Sequence, residues 1–341
     1  MTSRERVIAA IEFKGPDKLP HKHCYLPATV KKYPGLRKLL KQYPSDFAGE
    51  DITEDKQYAF QNPNQYRVGQ RIDEWNCTLT VALDGYKGQV TKHPIEDLSS
   101  LKDYSWPEAA YADISWDISA AKNRGDRYVA LGGINLFERM VDLRGFENLM
   151  IDIALGEQKL FTIRDHVLKY NLGVIDRLLE LNPDCIKLGD DWGSQISLMI
   201  NPSLWRELFL PAYQEMFERI HDADKHVLFH TDGYTMEILP DLVKIGADVF
   251  WVDLTVNPLP VLRDKFGGKV CFLGLTDVQF VMKDGTPTDV EKHAKELINA
   301  LGTYHGGFIA CSELDPDHPW DNIRTILEAF HNYGNYPIKI H

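Results

Sequence analysis

Beyond about residue 126, short apolar runs alternate with stretches whose apolar residues recur at helical spacing. That rhythm predicts a parallel sheet wrapped by helices. The predicted strands are 127–132 (RYVALG), 184–189 (DCIKLG), 226–230 (HVLFH), 248–253 (DVFWVD), 270–274 (VCFLG) and 307–311 (GFIAC), with another near 19–26. The helices have readable ends. Asn201-Pro202 opens one that runs on through 204–223, Thr288 is placed to cap one over 289–301, and Gly246 closes the helix that follows Pro240. Seven strands and an easily missed eighth predict a closed (β/α)8 TIM-type barrel, a single domain over 1–341; an open doubly wound sheet is the alternative. Residues 51–100 break the rhythm. There Asp84-Gly85 sits between two alternating segments, a β-hairpin signal, so this N-terminal helical and hairpin insertion is expected to cap one barrel face.

Composition narrows the class. The chain has 44% hydrophobic and 26% charged residues, and no apolar run approaches the roughly 20 residues that span a bilayer, so a soluble globular protein is expected and no membrane partner. The opening MTSRERVIAAIEF shows helical spacing rather than a secretion signal, so the cytoplasm is the expected compartment. Five cysteines, Cys24, Cys77, Cys185, Cys271 and Cys311, are an odd number without a CxxC pair and read as reduced, mostly buried thiols. A formal charge of -12 and the lack of a basic stripe argue against nucleic acid as a partner.

In a barrel, chemistry gathers where strands end. Those ends are polar here: Asn135 and Glu138-Arg139; Asp190-Asp191-Trp192-Gly193-Ser194-Gln195; His230-Thr231-Asp232-Gly233; Asp253; Thr276-Asp277; and Cys311, Ser312 and Glu313. Taken singly, Asp253, Asp277 and Ser312 read as helix N-caps, Trp192 and Trp205 as packing residues, and Gly233 as a tight turn. The pair Asp190-Asp191 reads differently, because two adjacent carboxylates cannot both cap one helix, and the Gln195 amide follows to fix a ligand. His230 and Asp232 alternate along a strand, so they share a face. Imidazole and carboxylate are ordinary zinc ligands, and a third could come from Cys311 or Glu313. Without metal, Asp232 would orient His230 as an acid/base. The candidate set is therefore His230, Asp232 and Asp191 for catalysis; Asp190, Trp192, Gln195, Asn135 and Asp253 for substrate; and His230, Asp232, Cys311 and Glu313 for metal. The imidazole at 230 and the carboxylates at 190, 191 and 232 are expected to share one water-poor hollow.

Three segments resemble the uroporphyrinogen decarboxylase superfamily in the right order: Ser3 to Pro20 (SRERVIAAIEFKGPDKLP), Gly189 to Gly233 with its GDDWGSQ start and FHTDG end, and Gly306 to Phe330 (GGFIACSELDPDHPWDNIRTILEAF). The resemblance implies a distorted (β/α)8 barrel. True uroporphyrinogen decarboxylases carry an arginine-rich stretch where this chain reads HKHCYLPAT (His21 to Thr29), so the carboxylates of that substrate would lack cationic partners. The other branch, corrinoid-dependent methyltransferases, holds zinc with His-x-Cys and a later Cys. Here His230 keeps its place, Asp232 stands where the first Cys would be, and the last-strand match falls at Ser312 between Cys311 and Glu313. A harder donor set favours an oxygen ligand. The resemblance thus implies transfer of a methyl group from a small O-methylated compound, an aryl methyl ether, to the cobalt of a corrinoid on a partner protein, the O-demethylation of anaerobic metabolism. The alternatives are a decarboxylase or other acid/base enzyme on a small organic acid, and a non-catalytic binding protein. Phe330, Tyr333 and Tyr336 near the C-terminus suggest a homodimer face.

Overall fold

The computed structural model of the protein describes residues 1–50 and 63–339. Residues 51–62 of the expected insertion lie outside the described residues. In chain order the strands are β1 His21–Tyr25, β2 Gly69–Ile72, β3 Thr78–Val81, β4 Gln89–Lys92, β5 Ala130–Ile134, β6 Cys185–Gly189, β7 His226–Thr231, β8 Val249–Val252, β9 Cys271–Leu275 and β10 Phe308–Leu314. All seven sequence-predicted strands form, with ends shifted by a few residues. Strand β10 starts after Gly306 and Gly307, whose φ values of 135° and 85° are left-handed, and it runs three residues beyond Cys311.

The chain divides into two compact units, one made of 1–60, 119–130 and 248–341, the other of 61–118 and 131–247. In the first, β1, β10, β9 and β8 lie side by side in that order, all parallel. Its core is aromatic, with Phe250, Phe272, Phe308 and Phe330 fully buried. Beside β1, residues 46–48 and Tyr128 make only an isolated parallel bridge, and no eighth barrel strand forms among the described residues. The stretch that lacks arginine opens with β1: His21, Lys22 and His23 are buried, and Lys22 Nζ pairs with Glu50 at 2.6 Å. Arg6 bridges Asp17 and Asp46, and Asp46 in turn accepts the His21 N–H, which fixes where β1 begins. Phe330 is buried, Tyr333 donates to Glu291 and Tyr336 to the Gly302 carbonyl. The aromatic residues that suggested a homodimer face are thus turned into the chain's own packing.

In the second unit, β7, β6 and β5 lie in that order, with β6 and β7 parallel. The expected hairpin forms as β3 and β4, antiparallel around a turn with Gly85 at φ 91°, and β2 pairs with the other edge of β3. Asn201 caps its helix as expected, but the helix breaks into Pro202–Leu208 and Leu210–His221. Pro211 has no N–H to give the Glu207 carbonyl, and the helix is interrupted at Phe209, where a continuous apolar pattern implies no break. In the first unit the helix Pro287–Leu301 is capped by Thr286, not Thr288, in a reciprocal box with Asp289. Pro287 prefers the first helical position, where no donor is needed, so the cap falls on the residue before it.

Candidate functional site

Strands β6 and β7 run parallel with Gly189 opposite His230. A Cβ at 189 would sit 2.8 Å from the His230 Cβ, so the glycine makes room for the imidazole. Beyond the strands the two loops are stitched together. Asp190 N–H donates to the His230 carbonyl (3.1 Å), Gly193 N–H to the Asp232 carbonyl (3.0 Å), Tyr234 N–H to the Ser194 carbonyl (2.8 Å) and Trp192 N–H to Thr231 Oγ1 (3.3 Å). Gly193 and Gly233 pass so close that a Cβ on either would collide with the other's backbone.

This stitching aims three side chains at one point. His230 Nε2 lies 3.7 Å from Asp191 Oδ1 and 3.8 Å from Asp232 Oδ1, and Asp191 Oδ1 also accepts the Asp232 N–H at 3.1 Å. One ligand atom from each residue lies within 4.8 Å of the others. Zinc bonds of about 2.0–2.2 Å would put tetrahedral ligand atoms roughly 3.4 Å apart, so small side-chain rotations would let the trio hold a dication. The hollow is not dry: the His230, Asp191 and Asp232 side chains are 30%, 40% and 50% exposed, enough for a small molecule to reach them.

Asp190 parts company with its neighbour. It is buried, and its carboxylate accepts the Leu136 N–H (2.9 Å), the Glu138 N–H (2.7 Å) and the Tyr213 hydroxyl (2.5 Å). It thereby caps the helix Phe137–Arg144, whose own cap residue Leu136 has no side-chain acceptor. Burial pushes Asp190 up to about 6 against the pull of those hydrogen bonds, and burial with the Asp190 charge holds Tyr213 protonated far above its ordinary range.

The other candidates fall apart in role. Trp192 is core: fully buried, stacked on Phe137 with ring centroids 4.1 Å apart, and donating to Tyr213. Gln195 is exposed in the Ser194–Ser197 turn. Asn135 donates to Glu138 Oε2 at 2.7 Å and to the Gly189 carbonyl. In the first unit, Asp253 accepts the Thr255 N–H and hydroxyl, and Asp277 the Gln279 and Phe280 N–H groups, as local caps do. Ser312 caps nothing: it is buried on β10 without a hydrogen-bond partner among the described residues. Cys311 and Glu313 lie on β10, Cys311 with its thiol pushed up by burial and Glu313 beside Cys24. The trio is complete within the second unit without either. A second group, Asp315, Asp317 and His318, lies after β10. There the Asp315 N–H donates to His318 Nδ1, so the neutral imidazole carries its proton on Nε2, which then has no lone pair for a metal.

Two residues outside the candidate set touch this region. Glu138 belonged to a polar strand end visible in the sequence. Tyr213 lies inside an amphipathic helix, where no sequence signal sets it apart.

The profile of the uroporphyrinogen decarboxylase (URO-D) family matches residues 128–333. Methylcobamide:CoM methyltransferase MtbA of Methanosarcina mazei is 22% identical over 260 residues, 72% of this chain and 71% of its own length. The methylated-thiol–coenzyme M methyltransferase of the same organism is 28% identical over 140 residues, 40% of this chain and 35% of its own. A solved methyltransferase from Methanosarcina mazei, 16% identical, superposes over 98% of this chain and 99% of its own with a TM-score of 0.70. That likeness covers essentially the whole chain and shows its fold, the distorted (β/α)8-type architecture expected from the sequence.

Proposed function

The chain belongs to the uroporphyrinogen decarboxylase family, on its methyltransferase side, and from that premise we propose that it moves a methyl group from a small O-methylated compound, an aryl methyl ether, to the cobalt of a corrinoid protein. The observation that carries this reading is the convergence of Asp191, His230 and Asp232 into one oxygen, nitrogen, oxygen set. Two carboxylates balance a dication's charge and the imidazole completes a set without a thiolate, suited to an oxygen-bearing ligand rather than a thiol. Zinc held there would polarise the ether oxygen as a Lewis acid. The chain's own residues fix the reacting geometry: the stitched loops hold the imidazole and both carboxylates in place, and Gly189 opens the space above β6. Asn135 steadies the Glu138 carboxyl beside it. The nucleophile comes from the partner's corrinoid, which accounts for a site without a serine or cysteine nucleophile.

The test is methyl transfer to a separately purified Co(I) corrinoid protein, followed by the cobalt absorbance, with a methoxyphenol, a methylated thiol and a small carboxylic acid offered in parallel. The reading expects transfer from the ether and its loss in a folded His230→Ala protein. Transfer from the methylated thiol alone would move the substrate class to the one named for the second relative. Turnover of the carboxylic acid without cobalt would overturn the methyl-transfer reading.

A further inference from the structure

We propose that Glu138 is the proton donor to the oxygen released when the methyl group departs, a catalytic residue of the reaction proposed above and dependent on that reading. Asp190 places it, since the carboxylate that caps the helix Phe137–Arg144 binds the Glu138 N–H and so sets the first turn of that helix against the end of β6. The Asn135 amide then orients the side chain. Asn135 Nδ2 holds Glu138 Oε2 at 2.7 Å and also binds the Gly189 carbonyl, and Gly189 stands opposite His230 in the register of β6 and β7. One amide therefore ties the Glu138 carboxyl to the strand pair that carries the imidazole. Among the described residues Oε1 makes no hydrogen bond, and neither oxygen is bonded to Asp191, His230 or Asp232.

The charges around Glu138 are Asp190 and Asp191 from the end of β6, Asp142 from its own helix and Lys87 between β3 and β4. Burial, then the charges of Asp190 and Asp191, push the carboxyl up to about 8, with Lys87 pulling the other way. It keeps its proton at neutral pH, as a general acid must. Asp190 cannot do this work because both its oxygens already accept from fixed donors inside the fold.

Zinc held by Asp191, His230 and Asp232 would polarise the oxygen but leave it anionic once the methyl group departs, so a proton is still needed to make a neutral product that can leave. In the step, the carbon–oxygen pair stays on oxygen and the methyl group passes without it to Co(I) of the corrinoid protein, which supplies the new bond's pair and rises to Co(III). The oxygen takes the Glu138 proton, and solvent later restores it. Because the protonated carboxyl is the active form, the rate falls as pH rises through the Glu138 pKa, which burial holds above the ordinary carboxylate range.

The experiment compares wild type with Glu138→Gln, which keeps an acceptor for Asn135 but has no proton to give. Single-turnover transfer from a methoxyphenol at pH 7 should fall about 100-fold or more. Transfer from a nitro-substituted anisole, whose phenolate leaves unaided, should fall less than about tenfold, and the variant should lose the high-pH limb. Infrared difference spectra between the two metal-free proteins, taken without substrate, should show a protonated carboxyl band at pH 7 that is lost as pH rises through about 8. Equal losses with both ethers, or no such band, overturn the role of Glu138 alone. A wild type that transfers nothing from either ether overturns the functional reading and the role with it.

Discussion

Asp190 and Asp191 are the same residue type one position apart, and the fold gives them opposite work. Just past the end of β6 the chain turns one inward and the other outward, so the inward carboxylate meets the bare N–H groups of a helix start and the outward one meets His230. The sequence showed that two adjacent carboxylates need two explanations, but which was which depends on where a helix 50 residues upstream begins, and no local pattern encodes that. The paired substitutions should separate the roles. Asp190→Asn keeps one acceptor oxygen for three donors and should destabilise the protein by about 2–4 kcal/mol in denaturant unfolding. Asp191→Asn, at a half-exposed side chain, should stay within about 1 kcal/mol of wild type yet lose stoichiometric zinc by metal analysis. Equal stability of the two variants would mean that Asp190 does not cap the helix.

At the scale of elements, the strands were readable because apolar runs of the right length, punctuated by Gly and Pro, leave few alternatives. Their ends were less so: the glycines at 306 and 307 adopt backbone that no hydropathy pattern reports, and the Pro211 break and the Thr286 cap turn on single missing N–H groups. The loop pair that builds the site is an element in the same sense. Gly233 was legible as a turn glycine; its contact with Gly193 was not, since the two lie 40 residues apart and meet only when β6 and β7 pair. Gly193→Ala forces a Cβ into the backbone of the opposite loop. It should cost about 1–3 kcal/mol and, by spreading the carboxylates from the imidazole, weaken zinc binding while leaving β6 and β7 intact by circular dichroism. An alanine variant that binds zinc as tightly as wild type would show that the stitching does not position the ligands.

Over the whole molecule, three segments spread from residue 3 to residue 330 carried the family resemblance, and the family profile and the full-length fold match agree with it. What the resemblance left open was the ligand set, because the motif's cysteines are replaced and neighbours of the last-strand position, Cys311 and Glu313, offered themselves as substitutes. The trio within one unit would supply three ligands without them, and linkage gives a global test of that. An ion that binds only the folded chain stabilises it by about 2.7 kcal/mol at a hundred times its dissociation constant. Zinc titrated into metal-free protein should therefore raise the thermal midpoint by a few degrees. The rise should vanish in Asp191→Ala and Asp232→Ala and persist undiminished in Cys311→Ser and Glu313→Gln, each compared with its own metal-free form so that losses from repacking β10 cancel. If the rise disappears in Cys311→Ser or Glu313→Gln, the ion is held by β10 as well. Loss in Cys311→Ser would bring a thiolate into the set and remove the argument for an oxygen-linked methyl group, whereas loss in Glu313→Gln would add a third carboxylate and leave that argument standing.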